Sequence, residues 1–265
     1  VLSDCIRGLP DNTVHLEKSY RFDENIARFA GAMNDGRVDL VESLLTDDQP
    51  TNLYFDRGDL VKEAAEKYLD YMHSALAVTD EEGLEDLFQQ LNRFRILCAT
   101  RRGPNGVEMM NSGVERYLER SGYDCSLPWY VGRPLIVREN SYSLGLFNGD
   151  IGICLADKED EFKRKIWFES EKGGFRALSP SRLPSHETVF GMTIHKSQGS
   201  EFDNLLICLP DEPSPVLCRE LLYTGVTRAR KQVAVRAKKE ILTHALEHRV
   251  VRCSGLFDMI RDLPD

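Results

Sequence analysis

The sequence of 265 residues has no hydrophobic run long enough to cross a membrane. A membrane-spanning helix needs roughly 18 or more consecutive apolar residues, and no segment approaches that length. The first residues, VLSDC, contain neither the basic region nor the apolar stretch of a signal peptide, so we expect a cytoplasmic location. Because the chain begins with Val1 instead of methionine, we also expect a piece of a longer protein.

Paired cysteines and a surplus of basic residues are also missing. The seven cysteines include no C-x-x-C pair and are odd in number, so we expect reduced thiols, with neither a disulfide framework nor a bound metal. The formal charge is −9, from 34 Lys and Arg against 43 Asp and Glu, which excludes a uniformly basic protein. It does not exclude DNA binding, because phosphate neutralisation is a property of one groove or face.

A loop for nucleotide phosphates is absent as well. Such a loop has the pattern G-x-x-x-x-G-K-[ST], and the glycine-rich turn Gly103–Gly106 lacks the lysine and the hydroxyl residue that follows it. The sequence also offers no convincing pair of carboxylates for Mg²⁺. We therefore expect the chain alone to bind ATP weakly, if at all, and to have no ATPase activity.

The apolar residues that are present predict an α/β fold. Intervals of three and four between Glu24 and Gln90 indicate helices. The apolar run Phe94–Thr100, a glycine turn and the helical stretch Val107–Leu118 indicate an α/β unit. After about Leu183 we predict strands at Thr188–Thr193, Leu205–Leu209 and Gln232–Ala237, and helices at Leu217–Thr227 and Lys239–Glu247.

Between Trp129 and Leu183 the pattern changes to short apolar runs with the turn signals NGD and GG. This pattern is typical of a small β-barrel inserted into the α/β domain. We therefore divide the chain into residues 1–129 and 187–265, which form the α/β domain, and residues 130–186, which form the insert. Trp167 and Phe168 are expected in the core of the barrel.

Six blocks of sequence carry a specific resemblance. Three of them resemble motifs of superfamily 1 helicases: LEKSYRF at 16–22 motif IV, GMTIHKSQGSEFD at 191–203 motif V, and ELLYTGVTRAR at 220–230 motif VI. Three others are similar to the RecD family, the alpha subunits of bacterial RecBCD enzymes or exodeoxyribonuclease V: LCATRRGPNGV at 97–107, GLFNGDIG at 145–152 and RCSGL at 252–256. The resemblance covers nearly the whole chain and corresponds to the C-terminal portion of the family.

This resemblance implies a fold, an activity and partners. The α/β domain would be the second RecA-like motor domain, of the P-loop NTPase fold but without its own P-loop, and the insert would be an SH3-like β-barrel. The complete protein would be an ATP-dependent 5′→3′ DNA helicase in double-strand-break recombinational repair, with ATP and Mg²⁺ bound mainly by an N-terminal domain and no cofactor in this chain. Its partners would be single-stranded DNA, duplex ends, RecB and RecC, with RecC in direct contact.

Arg21 and Arg228 are the candidate catalytic residues. Phosphoryl transfer spreads negative charge over the γ-phosphate oxygens, and an arginine from a second domain stabilises that charge. By resemblance both arginines would reach the γ-phosphate; the alternative for each is a surface arginine that bonds a helix end or a carboxylate. For Arg230 we favour a structural salt bridge.

Gln198, Gly199 and Glu201 are the candidate nucleotide-binding residues. By resemblance Glu201 would accept a hydrogen bond from the ribose, and the alternative is that it caps the following turn. Gln198 and Gly199 would couple the nucleotide cleft to a DNA contact.

The candidate DNA contacts lie at a strand end, on the glycine turn and on the insert. Thr193 and His195 flank a strand end where a hydroxyl and backbone N–H groups can hold a phosphate; alternatively, Thr193 caps the next helix and His195 is a structural histidine. Arg101, with Arg102, and Asn111 form a second possible phosphate contact, or a solvated basic loop.

On the barrel hairpin, Phe147 and Asn148, together with Tyr142, are candidates to contact DNA bases. Stacking of a base on an exposed aromatic ring contributes roughly 1–3 kcal/mol. For Phe147, packing in the barrel core is the alternative that we favour.

Two function classes stay open at this point. The chain is either the second half of a helicase motor or a non-catalytic DNA-binding or subunit-assembly module whose ATP-site residues are vestigial. Within the first class, the complete protein is either part of a RecBCD enzyme or a free-standing RecD-like helicase.

Overall fold

The computed structural model describes the chain except for residues 1–4, 7, 10–11, 15–22, 47–52, 56–58, 158–159, 161–162, 171, 251–258 and 261–265. Arg21, the motif IV block at 16–22 and the block at 252–256 therefore lie outside the described residues. No helix in the described part is long and apolar enough to span a membrane. Its cysteines form no disulfide, and Cys98, Cys154 and Cys208 are buried.

The described residues form both helices and strands. The helices are α1 (Glu24–Asn34), α2 (Val38–Thr46), α3 (Leu60–Glu66), α4 (Leu69–Ala77), α5 (Glu81–Arg93), α6 (Val107–Arg120), α7 (Arg219–Val226) and α8 (Lys239–Glu247). The strands are β1 (Leu53–Phe55), β2 (Phe94–Cys98), β3 (Pro134–Val137), β4 (Ile151–Ala156), β5 (Arg164–Glu169), β6 (Phe175–Leu178), β7 (His186–Thr188), β8 (Gly191–Thr193), β9 (Phe202–Cys208) and β10 (Ala229–Arg236). Aspartates that accept backbone N–H bonds cap α1, α3 and α5, as expected for a short acceptor side chain before a helix: Asp23, Asp59 and Asp80.

A parallel sheet in the order β1-β10-β9-β2-β8 forms the centre of the α/β domain. Adjacent residues of a strand point to opposite faces, so Leu97 packs with α1, α2, α7 and α8, whereas Ile96 packs with α3 to α6. Because helices cover both faces, the strands consist of nearly continuous apolar residues. The predicted α/β fold is thereby confirmed, and its main sheet is parallel.

The insert is an antiparallel sheet in the order β6-β5-β4-β3-β7. Its own small core includes Leu135, Val137 and Phe168. Trp167, the residue before Phe168, points to the other face and packs against the buried cluster that includes Ile153 of the insert and residues of α3 to α6. The prediction that both aromatic residues lie in the core of the insert is therefore wrong for Trp167, because neighbours on a strand cannot share a face.

Two strand predictions also need correction. The region 24–90, predicted as helical, contains β1, which pairs in parallel with β10; three residues are too few to show a period of two. The predicted strand Thr188–Thr193 is two strands in different sheets, β7 pairing with β3 and β8 with β2. The boundary placed between residues 186 and 187 consequently falls inside β7.

Asn111 of α6 fixes the point where the chain passes from one sheet to the other. Its Nδ2 donates to the carbonyl oxygens of Thr188 (2.9 Å) and Gly191 (3.1 Å), and its Oδ1 accepts from the Gly191 N–H (2.7 Å). The side chain is buried, with 8% of the residue exposed. The prediction that Asn111 contacts DNA is therefore wrong, because its amide is committed to the backbone of β7 and β8.

Arg95, near the start of β2, contacts the same segment between β7 and β8. It is fully buried, donates from Nη1 to the Val189 carbonyl (2.5 Å) and lies over the Phe202 ring, 5.0 Å from its centroid. Burial lowers the pKa of Arg95, and the neighbouring Tyr68 and Tyr71 oppose that change. Tyr68 adds a hydrogen bond to the Phe190 carbonyl (2.7 Å), so the residues between β7 and β8 are held on both sides.

We predict that Asn111→Ala destabilises the fold by about 2–4 kcal/mol, since it leaves buried backbone groups of β7 and β8 without partners. The neighbouring exposed Ser112→Ala should change the free energy of unfolding by less than about 0.5 kcal/mol. Urea denaturation of the two variants and the wild type measures both values. Equal stability of Asn111→Ala and Ser112→Ala would contradict the assignment.

Candidate functional site

The candidate residues lie at two opposite edges of the parallel sheet. The strands β9 and β10 begin at the amino edge, which carries Glu201, Arg228 and Arg230. The strands β2 and β8 end at the carboxyl edge, which carries Arg101 and Thr193. Residues 194–201, which include the 3-10 helix Ile194–Ser197, connect the end of β8 to the start of β9 and so join the two edges.

Arg228 follows α7 directly and is half-buried at the amino edge. Its guanidinium donates to the carbonyl oxygens of Thr224 (3.1 Å) and Ser200 (3.5 Å) and to the Thr227 hydroxyl (3.2 Å). These oxygen atoms carry no net charge, and no carboxylate of the described residues pairs with Arg228. The bonds to the end of α7 agree with the alternative interpretation of Arg228, yet none of the described carboxylates lies within ion-pair distance of its guanidinium.

Glu201 and Arg230 form an ion pair beside Arg228. Arg230 donates from Nε (3.0 Å) and Nη2 (2.9 Å) to Oε2 of Glu201, which confirms the predicted salt bridge of Arg230. Glu201 also lines a cavity of about 310 Å³ with Asn92 of α5 and Asp150 of the insert. The cavity therefore lies where the insert meets the amino edge of the sheet.

Gln198 and Gly199 lie in the connection between the two edges. Gln198 is exposed, and its N–H donates to the His195 carbonyl (3.3 Å). Gly199 has φ of 90° with open space around the position of a Cβ, so the backbone conformation, and not the lack of room, favours glycine. The turn at Gly199 lets the chain leave the 3-10 helix toward β9.

Thr193 and His195 have different surroundings. The Thr193 hydroxyl accepts a hydrogen bond from the Lys196 N–H (3.3 Å), so Thr193 caps the 3-10 helix, as one of its two interpretations predicts. His195 is exposed, and within the described part of the chain its imidazole forms no hydrogen bond. His195 is thus accessible to a ligand at the carboxyl edge.

Arg101 forms two ion pairs at the carboxyl edge. Its Nη1 and Nη2 donate to Oε1 (3.2 Å) and Oε2 (2.6 Å) of Glu187 on β7, and its Nε lies 3.2 Å from Oε1 of Glu108. Lys196 donates to Oε1 of the same Glu187 (2.7 Å), and Arg138 lies 4.0 Å from Oε2. Arg101 is therefore not part of a solvated basic loop but joins the glycine turn to the insert.

Glu187 was not a candidate in the sequence, although it is the acidic residue in this cluster that contacts the most cations. Burial raises its pKa, but the hydrogen bonds from Arg101 and Lys196 outweigh burial and lower the pKa to about 2. The one signal in the sequence was a single acidic residue directly before the largely apolar segment 188–192, TVFGM.

The insert presents an exposed aromatic pair. Tyr142 is 80% exposed and Phe147 38% exposed, and their rings meet edge to face with centroids 6.1 Å apart. The neighbour of Phe147, Leu146, takes the position in the core of the insert. The favoured interpretation of Phe147 as a core residue is therefore wrong. The adjacent Asn148 is exposed, and its backbone N–H donates to Asn140 Oδ1 (2.8 Å).

The chain is similar to several known proteins. A family profile described as UvrD-like helicase C-terminal domain matches residues 188–235. The RecBCD enzyme subunit RecD of Haemophilus influenzae is 36% identical over 98% of this chain, and an ATP-dependent RecD2 DNA helicase of Deinococcus radiodurans is 26% identical over 59% of it. The chain spans 43% of the Haemophilus protein and the match covers 23% of the Deinococcus protein. The resemblance to RecD is confirmed by these matches.

Among solved structures, the Pif1 helicase from Bacteroides in complex with ADP-AlF3 and ssDNA is similar to this chain with a TM-score of 0.45 and 16% sequence identity. The match covers 94% of this chain and 56% of the Bacteroides chain.

We predict that Glu187 contributes stability that is lost in acid. Its pKa lies at about 2 in the fold against an ordinary 4.5, so the contribution is complete above about pH 4.5 and disappears as the pH falls toward 2. Glu187→Gln should therefore lower the free energy of unfolding by about 2 kcal/mol at pH 7, less than the full shift because Arg101 and Lys196, which lower the pKa, are partly exposed. Urea denaturation from pH 7 to pH 3 should show this difference shrinking; a difference that stays constant would rule the assignment out.

Proposed function

We propose that this chain is the second RecA-like motor domain of an ATP-dependent, RecD-type DNA helicase, with an inserted SH3-like barrel. The observation that carries the proposal is the half-buried Arg228 guanidinium, which has no carboxylate partner among the described residues and lies beside the Glu201–Arg230 pair. The 36% identity to a RecD subunit over 98% of the chain supports the same function.

The amino edge of the sheet fits one end of a nucleoside triphosphate. Neutral oxygens of Thr224, Ser200 and Thr227 orient the Arg228 guanidinium without cancelling its charge, so the arginine can stabilise the negative charge that develops on a γ-phosphate. Glu201, which lines the neighbouring cavity, would accept a hydrogen bond from a ribose hydroxyl. Arg21 would act on the same phosphate.

The remainder of the nucleotide would be held by a domain outside this chain. Bound ATP with Mg²⁺ supplies the phosphoanhydride bond whose hydrolysis drives translocation. The sequence has no phosphate loop, and the described residues include no group of three His, Cys, Asp or Glu side chains that could hold a metal ion. This chain would therefore provide Arg228 and Glu201, while Mg²⁺ and the other phosphates bind to the partner domain.

The carboxyl edge and the insert would contact single-stranded DNA. Thr193 and His195 would hold a phosphate at the end of β8, and Phe147 with Asn148 would contact bases from the insert. Residues 194–201, including Gln198 and Gly199, connect this edge to the nucleotide edge, so a shift of one would be transmitted to the other.

In the complete protein we infer 5′→3′ translocation and unwinding of duplex ends during double-strand-break repair, as a subunit of an exodeoxyribonuclease V with RecB and RecC. The name of the Haemophilus relative supports this assembly, and the name of the Deinococcus relative supports ATP dependence. Direct contact with RecC is part of this proposal. Co-purification with RecB and RecC, or its absence, separates the assembled form from a free-standing helicase.

The first test is Arg228→Ala in the full-length protein. ATP turnover should fall by about a thousandfold because the charge on the γ-phosphate loses its partner. The affinity for single-stranded DNA should stay within about twofold, since Arg228 is not among the proposed DNA contacts and the strand-end contacts Thr193 and His195 lie at the opposite edge of the sheet. Arg37→Gln, which breaks an exposed pair with Asp35, is the control and should keep full ATPase activity. A variant with nearly normal turnover would favour the non-catalytic DNA-binding or assembly module.

The second test uses this chain by itself. Without a domain that cradles the phosphates, the purified chain should show no DNA-stimulated ATP hydrolysis above the background of the assay. Phosphate release measured with and without single-stranded DNA gives the answer. If the chain alone hydrolyses ATP and Arg228→Ala abolishes that turnover, the chain contains a complete ATP site. This result would overturn the proposal that another domain binds Mg²⁺ and the other phosphates.

A further inference from the structure

Three cations from separate segments surround the single carboxylate of Glu187. Arg101 comes from the turn after β2, Arg138 from the end of β3 in the insert, and Lys196 from the 3-10 helix after β8. We call these four side chains the Glu187 cluster. In this cluster the insert meets the carboxyl ends of β2 and β8.

The exposure of the side chains shows how the cluster is layered. The Glu187 side chain is 19% exposed, whereas Lys196, Arg101 and Arg138 are 30%, 41% and 46% exposed. The carboxylate therefore lies below the cations and holds them from the protein side. The outer faces of all three cations are open to solvent.

The cluster carries more positive charge than its own carboxylates neutralise. Glu187 faces three cations, and Glu108 is shared between Arg101 (3.2 Å) and the 84% exposed Arg102 (3.6 Å). A third carboxylate, Glu115, lines the same cavity as Arg101 and Glu187. Four cations thus meet three carboxylates, which leaves an excess of one positive charge on a surface of a chain whose net charge is −9. Such an excess favours binding of an anion at this place.

The position of the cluster indicates which anion fits. Arg228 and Glu201 lie at the amino edge of the sheet and the cluster lies at the carboxyl edge, so one nucleoside triphosphate cannot occupy both. The exposed His195 and the end of β8 adjoin Lys196. Contacts of this kind, made by Arg and Lys to a backbone phosphate, position a nucleic acid without reading its sequence.

We propose that the Glu187 cluster is a binding site for a phosphodiester group of single-stranded DNA, with Glu187 as a positioning residue that holds the three cations in place. The proposal rests on the proposed function in that it requires the chain to contact DNA. A long cationic side chain loses conformational freedom when it binds a phosphate, and prior fixation by Glu187 removes part of that loss. Lys196 and Arg138 then become DNA contacts alongside Arg101.

The test is the affinity of this chain for a fluorescein-labelled oligothymidylate, measured by fluorescence anisotropy over a range of KCl concentrations. Lys196→Gln and Arg138→Gln should each weaken binding and flatten the plot of log K against log salt by about 0.7, the value for one lost phosphate contact on a single strand. Glu187→Gln should weaken binding by about three- to tenfold with an unchanged slope, because the cations remain but are no longer fixed.

Lys239→Gln is the matched control, since Lys239 forms an ion pair of the same 2.7 Å length with Glu42. It should change neither the affinity nor the slope. Tighter binding by Glu187→Gln would show that the carboxylate repels the phosphate and would overturn its positioning role. Should Glu187→Gln fail to fold, the exposed Arg138 and Lys196 variants still decide whether the cluster binds phosphate.

The outcomes separate the two proposals. If the wild-type chain binds no oligothymidylate, the proposed DNA contact fails, and the cluster proposal fails with it. If the wild type binds but the cluster variants behave like Lys239→Gln, the cluster proposal alone is overturned. Competition with inorganic phosphate tests the source of the anion: displacement beyond the effect of ionic strength, lost in Lys196→Gln, would assign the site to free phosphate instead of DNA.

Discussion

The parallel pairing of β8, β2 and β9 is the constraint on which the remaining structure depends. In a parallel sheet every strand starts at one edge and ends at the other, so the segment between β8 and β9 has to return from the carboxyl edge to the amino edge. Thr193 directly precedes that segment, and Glu201 is its last residue. The two halves of the candidate site are therefore separated in space but joined by eight residues of chain, 194–201, which connect the proposed nucleotide edge to the proposed DNA edge.

The insert is tied to this sheet by polar side chains at buried or half-buried positions. Asn111 joins β7 to β8, Arg95 and Tyr68 hold the residues between them, and Arg101 reaches Glu187 from the glycine turn. Unmade hydrogen bonds cost more at such positions than at the surface, so these contacts define one arrangement of insert and sheet. The surfaces proposed to contact DNA on the sheet and on the insert are thereby held in one relative position.

Periodicity and motif order predicted the α/β fold and the β-rich insert, because these depend on long stretches of apolar residues. They missed β1 and the division between β7 and β8, since three-residue strands are too short for a period and a bend between sheets leaves the apolar run unbroken. At the site, the salt bridge of Arg230 was predicted correctly. The role of Asn111 was not, because a buried amide and a surface amide have the same sequence pattern, and Glu187 was missed since its partners are far away in the chain. Arg21 stays a prediction, as it lies outside the described residues.

The central claim is that Arg228 is held at the amino edge for the terminal phosphate of a nucleotide bound by another domain. A crystal structure of the full-length protein with an ATP analogue that is not hydrolysed examines this directly. The account predicts a guanidinium nitrogen of Arg228 within about 3 Å of a γ-phosphate oxygen, with Arg21 on the same phosphate group. An Arg228 turned away from the nucleotide, or paired with a carboxylate of the other domain, would contradict it.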